Sequence, residues 1–155
     1  MYDALKLLHV LAAVVFVGNI TTAVFWKLHA DRSGDPRLIA HAVDGLIRSD
    51  RLFTGPGAVL LLITGFGVAG IGGYSILGTG WILWSIVLFL VSGAAYGMRL
   101  APLQRRMRGV AVGEGGAPFD AARYRALSAQ WAVWGTVALL APAVAIVLMV
   151  LKPGS

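Results

Sequence analysis

The stretch that decides the fold is Ala4–Leu28, ALKLLHVLAAVVFVGNITTAVFWKL. Apart from Lys6, His9, Asn19, Thr21, Thr22 and Lys27 it is apolar throughout. A helix needs about 20 such residues to cross the hydrocarbon core of a bilayer, so this run predicts a first membrane span over residues 4–28. A cleaved signal sequence has a shorter apolar region, roughly 7–15 residues, ending at small residues. This run continues instead into Phe25, Trp26 and Lys27, and it reads as a retained span.

Working outward, three further apolar runs predict spans over residues 52–71, 81–100 and 129–151. Between the first two spans lies HADRSGDPRLIAHAVDGLIRSDR. Asp35 and Pro36 suit the N-cap and first position of a helix. From there Leu38, Ile39, Ala42, Val43, Leu46 and Ile47 recur at helical spacing, with Arg37, His41, Asp44 and Arg48 opposite. Asp44 and Arg48 form an i,i+4 pair in this reading. The segment is short and charged, which predicts an amphipathic helix over residues 36–50 lying along the cytoplasmic membrane surface. Pro102 is expected to stop the third span, and a basic, glycine-rich loop to follow it. Pro142 is expected to bend or loosen the fourth span. The fold class is therefore all-α: residues 1–155 as one membrane domain, an integral membrane four-helix bundle with an interfacial helix between spans 1 and 2. The two halves share a hairpin outline but no residue pattern.

Composition agrees. Of the 155 residues 58% are apolar and 13% charged, against about 45–50% and 25% in ordinary soluble domains. The mean hydropathy is +0.79. The chain has no cysteine, which excludes disulfides, thiolate metal sites and cysteine nucleophiles. The net charge of +6 does not imply nucleic acid, because the basic residues flank the apolar spans. The partners it implies are the lipid bilayer and its anionic head groups. All but Lys6 and Lys152 of the 13 lysines and arginines lie in or beside the two long connections. The positive-inside rule then places both long loops in the cytoplasm and both termini outside. Arg105, Arg106, Arg108, Arg123 and Arg125 are expected to face lipid head groups, at about 1 kcal/mol each.

His9 is the only histidine inside a span, about 8 Å along the first helix and so near the outer surface. An ionisable side chain there is a functional-site candidate; the alternative is a neutral ring bonded to a carbonyl or water. A second constellation is a polar stripe. Asn19, Thr22 and Trp26 share one face of the first helix, and Ser85, Ser92, Tyr96 and Arg99 one face of the third, so with Thr54, Thr64 and Gln130 they could line a cytoplasm-facing cleft. Ordinary interhelical hydrogen bonding, about 0.6 kcal/mol each on average, is the competing explanation. Arg99, one turn inside the interface, can hold a carboxylate or phosphate head group. Gly65-Phe66-Gly67-Val68-Ala69-Gly70 matches a dinucleotide-binding pattern by letters only, since no strand precedes it; Gly65 with Ala69 reads as small-residue helix packing. Glu114 and Asp120 have no companion histidine, so neither a hydrolytic nor a metal site is expected there.

Lys6-Leu7-Leu8-His9-Val10, with Phe16 and Gly18 following, resembles the first helix of the membrane-bound protoporphyrinogen oxidases of bacteria and cyanobacteria. It is also similar to the copper-resistance protein D group. Over most of its length the chain resembles a family of four-span integral membrane proteins of bacteria, with Arg51-Leu52-Phe53-Thr54-Gly55-Pro56-Gly57 and Thr64-Gly65 matching that family's second span. The resemblance implies a bacterial inner (plasma) membrane. In the oxidases the matching first-helix histidine is linked to haem, which implies the same for His9, although Phe16 stands where those oxidases usually have tryptophan. His29 is roughly 30 Å from His9 at about 1.5 Å per residue, and His41 falls on the polar face of its helix. Three arrangements remain for haem b: a five-coordinate iron on His9, a Met149 partner near the outer end of the fourth span, or two His9 rings across a homodimer axis. No other metal site is expected. The leading expectation is haem or porphyrin binding near His9 in a redox or haem-related role. The alternative is a non-catalytic subunit of a larger membrane complex or a lipid-binding protein, with copper handling third.

Overall fold

The computed structural model describes residues 1–154, and no strand occurs among them. Helix α1 spans Tyr2–Ser33 and ends at Gly34, whose left-handed backbone (φ 67°) returns its N–H to the Asp31 carbonyl. Helix α2, Pro36–Ser49, starts where the Asp35 carboxylate accepts the Arg37 N–H. A π turn, Asp50–Thr54, joins it to α3, Gly55–Ile71. Helix α4, Gly80–Ala95, leads through a second π turn, Tyr96–Leu100, into α5, Ala101–Val112. Helix α6, Ala121–Leu151, is capped by the Asp120 carboxylate on the Arg123 N–H and runs past Pro142 unbroken. Four continuous helices, Tyr2–Ser33, Pro36–Ile71, Gly80–Val112 and Ala121–Leu151, are thus long and apolar enough to cross a membrane.

The two π turns account for the departures from expectation. Pro56 and Pro102 each stand two residues beyond a π turn. Proline in an α-helix removes one N–H and clashes with the carbonyl four residues back. In the wider turn the preceding N–H groups reach back five residues, Gly55 to Asp50 and Ala101 to Tyr96, so the helix passes the proline without stopping. Pro102 therefore does not end the third span, and the segment carrying Arg105, Arg106 and Arg108 is helical to Val112. For the same reason α2 is helical as expected but is continuous with α3, not a separate helix laid along a surface. Its apolar face, Ile39, Val43 and Leu46, is buried against α1 and α5. Asp44 consequently meets Arg108 of α5 across that contact, and not Arg48.

The helices pair as α1 on α3 and α4 on α6. The pairs are joined by α2 against α5 and by α1 against α6. Helices α3 and α4 do not pack on each other. The bundle is thus closed at the end bearing the arginines (the arginine end) and parted at the end bearing both termini (the terminal end). A buried polar clamp secures the closed end. Lys27, with 1% of its side chain exposed, pairs with Asp31 at 2.6 Å, donates to Ser128 and lies 4.9 Å from the centre of the Trp131 ring. The Tyr124 hydroxyl donates to the other Asp31 oxygen at 2.7 Å. Large apolar side chains such as Leu11, Val14, Ile63, Trp84, Leu90 and Leu140 face outward, an exterior suited to lipid.

Candidate functional site

Two cavities lie along the bundle, one towards each end. The larger, about 730 Å³, fills the gap at the terminal end and is lined from all four long helices, including Lys6, His9, Trp81, Met149 and Lys152. The smaller, about 130 Å³, lies at the arginine end and is lined by Asp50, Thr54, Tyr96 and Gln104, among others. Among the described residues two alone line both: Phe16 and Phe89. Their ring centres are 5.7 Å apart, so this aromatic contact is the partition between the cavities.

His9 is fixed by α3. Its Nδ1 lies 2.9 Å from the Thr64 hydroxyl. That hydroxyl is itself 2.6 Å from the Leu60 carbonyl, where its single proton goes, so the ring nitrogen donates and the hydroxyl accepts. A neutral ring protonated at Nδ1 presents its lone pair at Nε2. The ring approaches closely because position 65 is glycine: a Cβ there would stand 3.0 Å from the His9 Cε1. Thr64 is almost wholly buried. The Thr64-Gly65 pair is part of the span signature, with Thr64 also read as a cleft residue and Gly65 as helix packing; together they are the seat of the histidine.

The walls of this cavity are aromatic and aliphatic, with cations at its terminal end. Lys152 lies 5.9 Å from the Tyr74 ring centre and 5.5 Å from that of Trp81. The indole N–H of Trp81 is buried with no acceptor. Met149 lines the cavity together with His9.

The polar stripe is divided by the structure. Ser85 is on the wall of the larger cavity, and Ser92 and Tyr96 are on the wall of the smaller. Asn19 reaches the latter through Thr54: its amide donates to the Thr54 hydroxyl at 2.8 Å, which donates to Asp50 at 2.8 Å. Thr22 and Arg99 line neither cavity. Thr22 is exposed and bonds back to the Gly18 carbonyl, and the exposed Arg99 stacks over Trp134 at 5.3 Å. Spacing put these two on the same helix faces as their neighbours, but only packing decides how far a face reaches inward. Arg105, Arg106, Arg108, Arg123 and Arg125 are all exposed at the arginine end.

Sequence reasoning passed over Asp50 and Gln104. Asp50 is 6% exposed, and its second oxygen accepts the Gln104 amide at 2.9 Å. Gln104 falls in a loop if Pro102 ends the third span, and Asp50 falls on the membrane surface if the helix over residues 36–50 is separate from the second span. The available signal was the i,i+4 spacing of Asp50 and Thr54.

A four-helix integral membrane protein with a histidine-bearing cavity at one end is the class that these features define. The chain belongs to the family described as predicted integral membrane protein (DUF2269), whose profile matches residues 3–153. No curated protein matches the chain, and no solved structure does.

Proposed function

We propose that the protein holds a planar amphipathic ligand with acidic groups, b-type haem or porphyrin, in the larger cavity with His9 as the axial donor. The observation that carries this reading is the His9–Thr64 bond. Histidines that ligate metals donate their other ring N–H to a fixed acceptor, which sets tautomer and orientation, and His9 has that arrangement. The cavity volume lies within the roughly 300–1,000 Å³ usual for small-molecule sites. Lys6 and Lys152 suit carboxylates at the mouth, Trp81 supplies a donor without an acceptor, and Phe16, Phe89 and Trp81 suit a ring system. When bound, haem would supply one-electron exchange; His9 holds it, Thr64 orients His9, and the apolar walls exclude water. Met149 on the same wall favours a site complete within one chain over one shared by a homodimer. The excess of cations at the arginine end favours placing that end in the cytoplasm of a bacterial cell.

A visible spectrum of the detergent-purified protein after haem supplementation tests the reading. A Soret band that is lost in His9→Ala is expected. Its absence from the wild-type chain overturns the proposal.

The second reading is a lipid-binding or accessory subunit. It is favoured by the gap between α3 and α4, through which an acyl chain could enter the same cavity. It predicts a colourless protein that carries bound lipid or a partner after gentle solubilisation.

A further inference from the structure

Among the described residues Asp50 is the only acidic one lining either cavity. It is 6% exposed and sits at the start of the first π turn, with the second π turn facing it across the smaller cavity. Single π turns inside helices occur frequently at functional sites, and here two converge on one space of about 130 Å³. Among the described residues no lysine or arginine forms an ion pair with Asp50; the ion pairs present are Lys27–Asp31 and Arg108–Asp44. Neutral donors surround it instead: the Thr54 hydroxyl, the Gln104 amide and, beside them, the Tyr96 hydroxyl. A cation site would need acceptors turned inward. With no cation paired to it, the buried carboxyl has a proton as the one charge it can exchange, and the space beside it is roomy enough for water.

The surroundings extend this towards the other cavity. Ser92 is on the Asp50 side of the partition, Ser85 on the far side, and Phe89 between them on the same face of α4. Phe16 closes the partition from α1. The charged and titratable groups around Asp50 are Tyr96 beside it, Arg51 and Arg105 acting on that phenol, and Lys27, which is turned away onto Trp131 and Asp31.

We propose that the bundle carries a proton path from the arginine end to the larger cavity, with Asp50 as the proton-carrying group and the Phe16–Phe89 contact as its gate. The path is independent of what the larger cavity holds. A proton arriving at the arginine end adds to an Asp50 oxygen. It leaves through water in the smaller cavity, and crosses to the Ser85 side when the two rings part. No bond other than O–H is made or broken.

The test uses the full chain in vesicles enclosing a pH-sensitive dye, with a potassium gradient and valinomycin to set the potential. Wild-type vesicles should admit protons several-fold faster than protein-free vesicles. Phe16→Ala should be faster still, Asp50→Asn should fall to the protein-free rate, and Asp50→Glu should retain flux. In case Asp50→Asn does not fold, the wild-type chain is treated with dicyclohexylcarbodiimide, which reacts with protonated carboxyl groups in apolar surroundings. Labelling of Asp50, read by mass spectrometry, should stop the flux. Wild type and Phe16→Ala both at the protein-free rate would overturn the proposal, as would an Asp50→Asn chain as fast as wild type. So would a reagent that leaves Asp50 unlabelled, or labels it without slowing the flux.

Discussion

The imidazole of His9 occupies the space that a side chain at position 65 would fill: a Cβ on Gly65 would come within 3.0 Å of Cε1. The two helices meet here on a ring laid against bare backbone.

Alanine in a helix interior is ordinarily favoured over glycine by up to about 1 kcal/mol. At Gly70, in the same helix, an added Cβ meets nothing within 4 Å, so Gly70→Ala should raise the melting temperature in detergent. Gly65→Ala should not, because overpacking against a tethered ring costs about 1–3 kcal/mol. Paired thermal melts decide this, and equal gains at both positions would contradict the tight seating of His9.

Thr64→Val keeps the shape of the side chain and removes the acceptor for His9 Nδ1. The fold should survive, since interhelical hydrogen bonds in membranes contribute about 0.6 kcal/mol on average. If the proposed haem site is right, haem affinity should fall by roughly 10–100-fold, as metal affinity does when the outer partners of ligating histidines are lost. Titration followed at the Soret band measures it.

Lys27→Met should be the most destabilising of the polar substitutions. It leaves Asp31 without its cation in a buried clamp, with only the Ser128 and Tyr124 hydroxyls still donating to it. Breaking a buried ion pair costs about 3–5 kcal/mol; Asp31 is 20% exposed, which places the loss towards the lower figure. The double change Lys27→Met with Asp31→Asn should recover part of it in thermal unfolding, because no uncompensated charge then remains.

Because the chain has no cysteine, single cysteines report its orientation cleanly. Gly115→Cys, in the turn between α5 and α6, should react with a membrane-impermeant maleimide only after cells are opened. Asp3→Cys, at the other end, should react in intact cells. The reverse pattern would invert the proposed orientation.

The spans could be read from the chain because each is a long apolar run, and His9 stood out because it is an ionisable residue in one of them. The connections were not legible in the same way. Pro102 and the glycines after it spell an ended helix to any rule based on one residue at a time. A π turn two residues earlier lifts that penalty, and hydrogen bonding of this kind leaves no mark in composition. Asp50 was hidden by the same cause: once α2 is taken to end at the surface, its last carboxylate belongs to solvent. The joining of Thr64 to His9 needed the helix rotation, which periodicity does not supply when a span is apolar on every face.

Helices α3 and α4 are consecutive in the chain yet never touch, so the molecule resembles tongs pinned at one end. The short connection of residues 72–79 bridges the tips of the jaws, with Tyr74 set against Trp81. An occupant would therefore arrive sideways, from within the leaflet. How often the site is filled should follow how strongly a compound dissolves in the bilayer, and not how much of it is free in water.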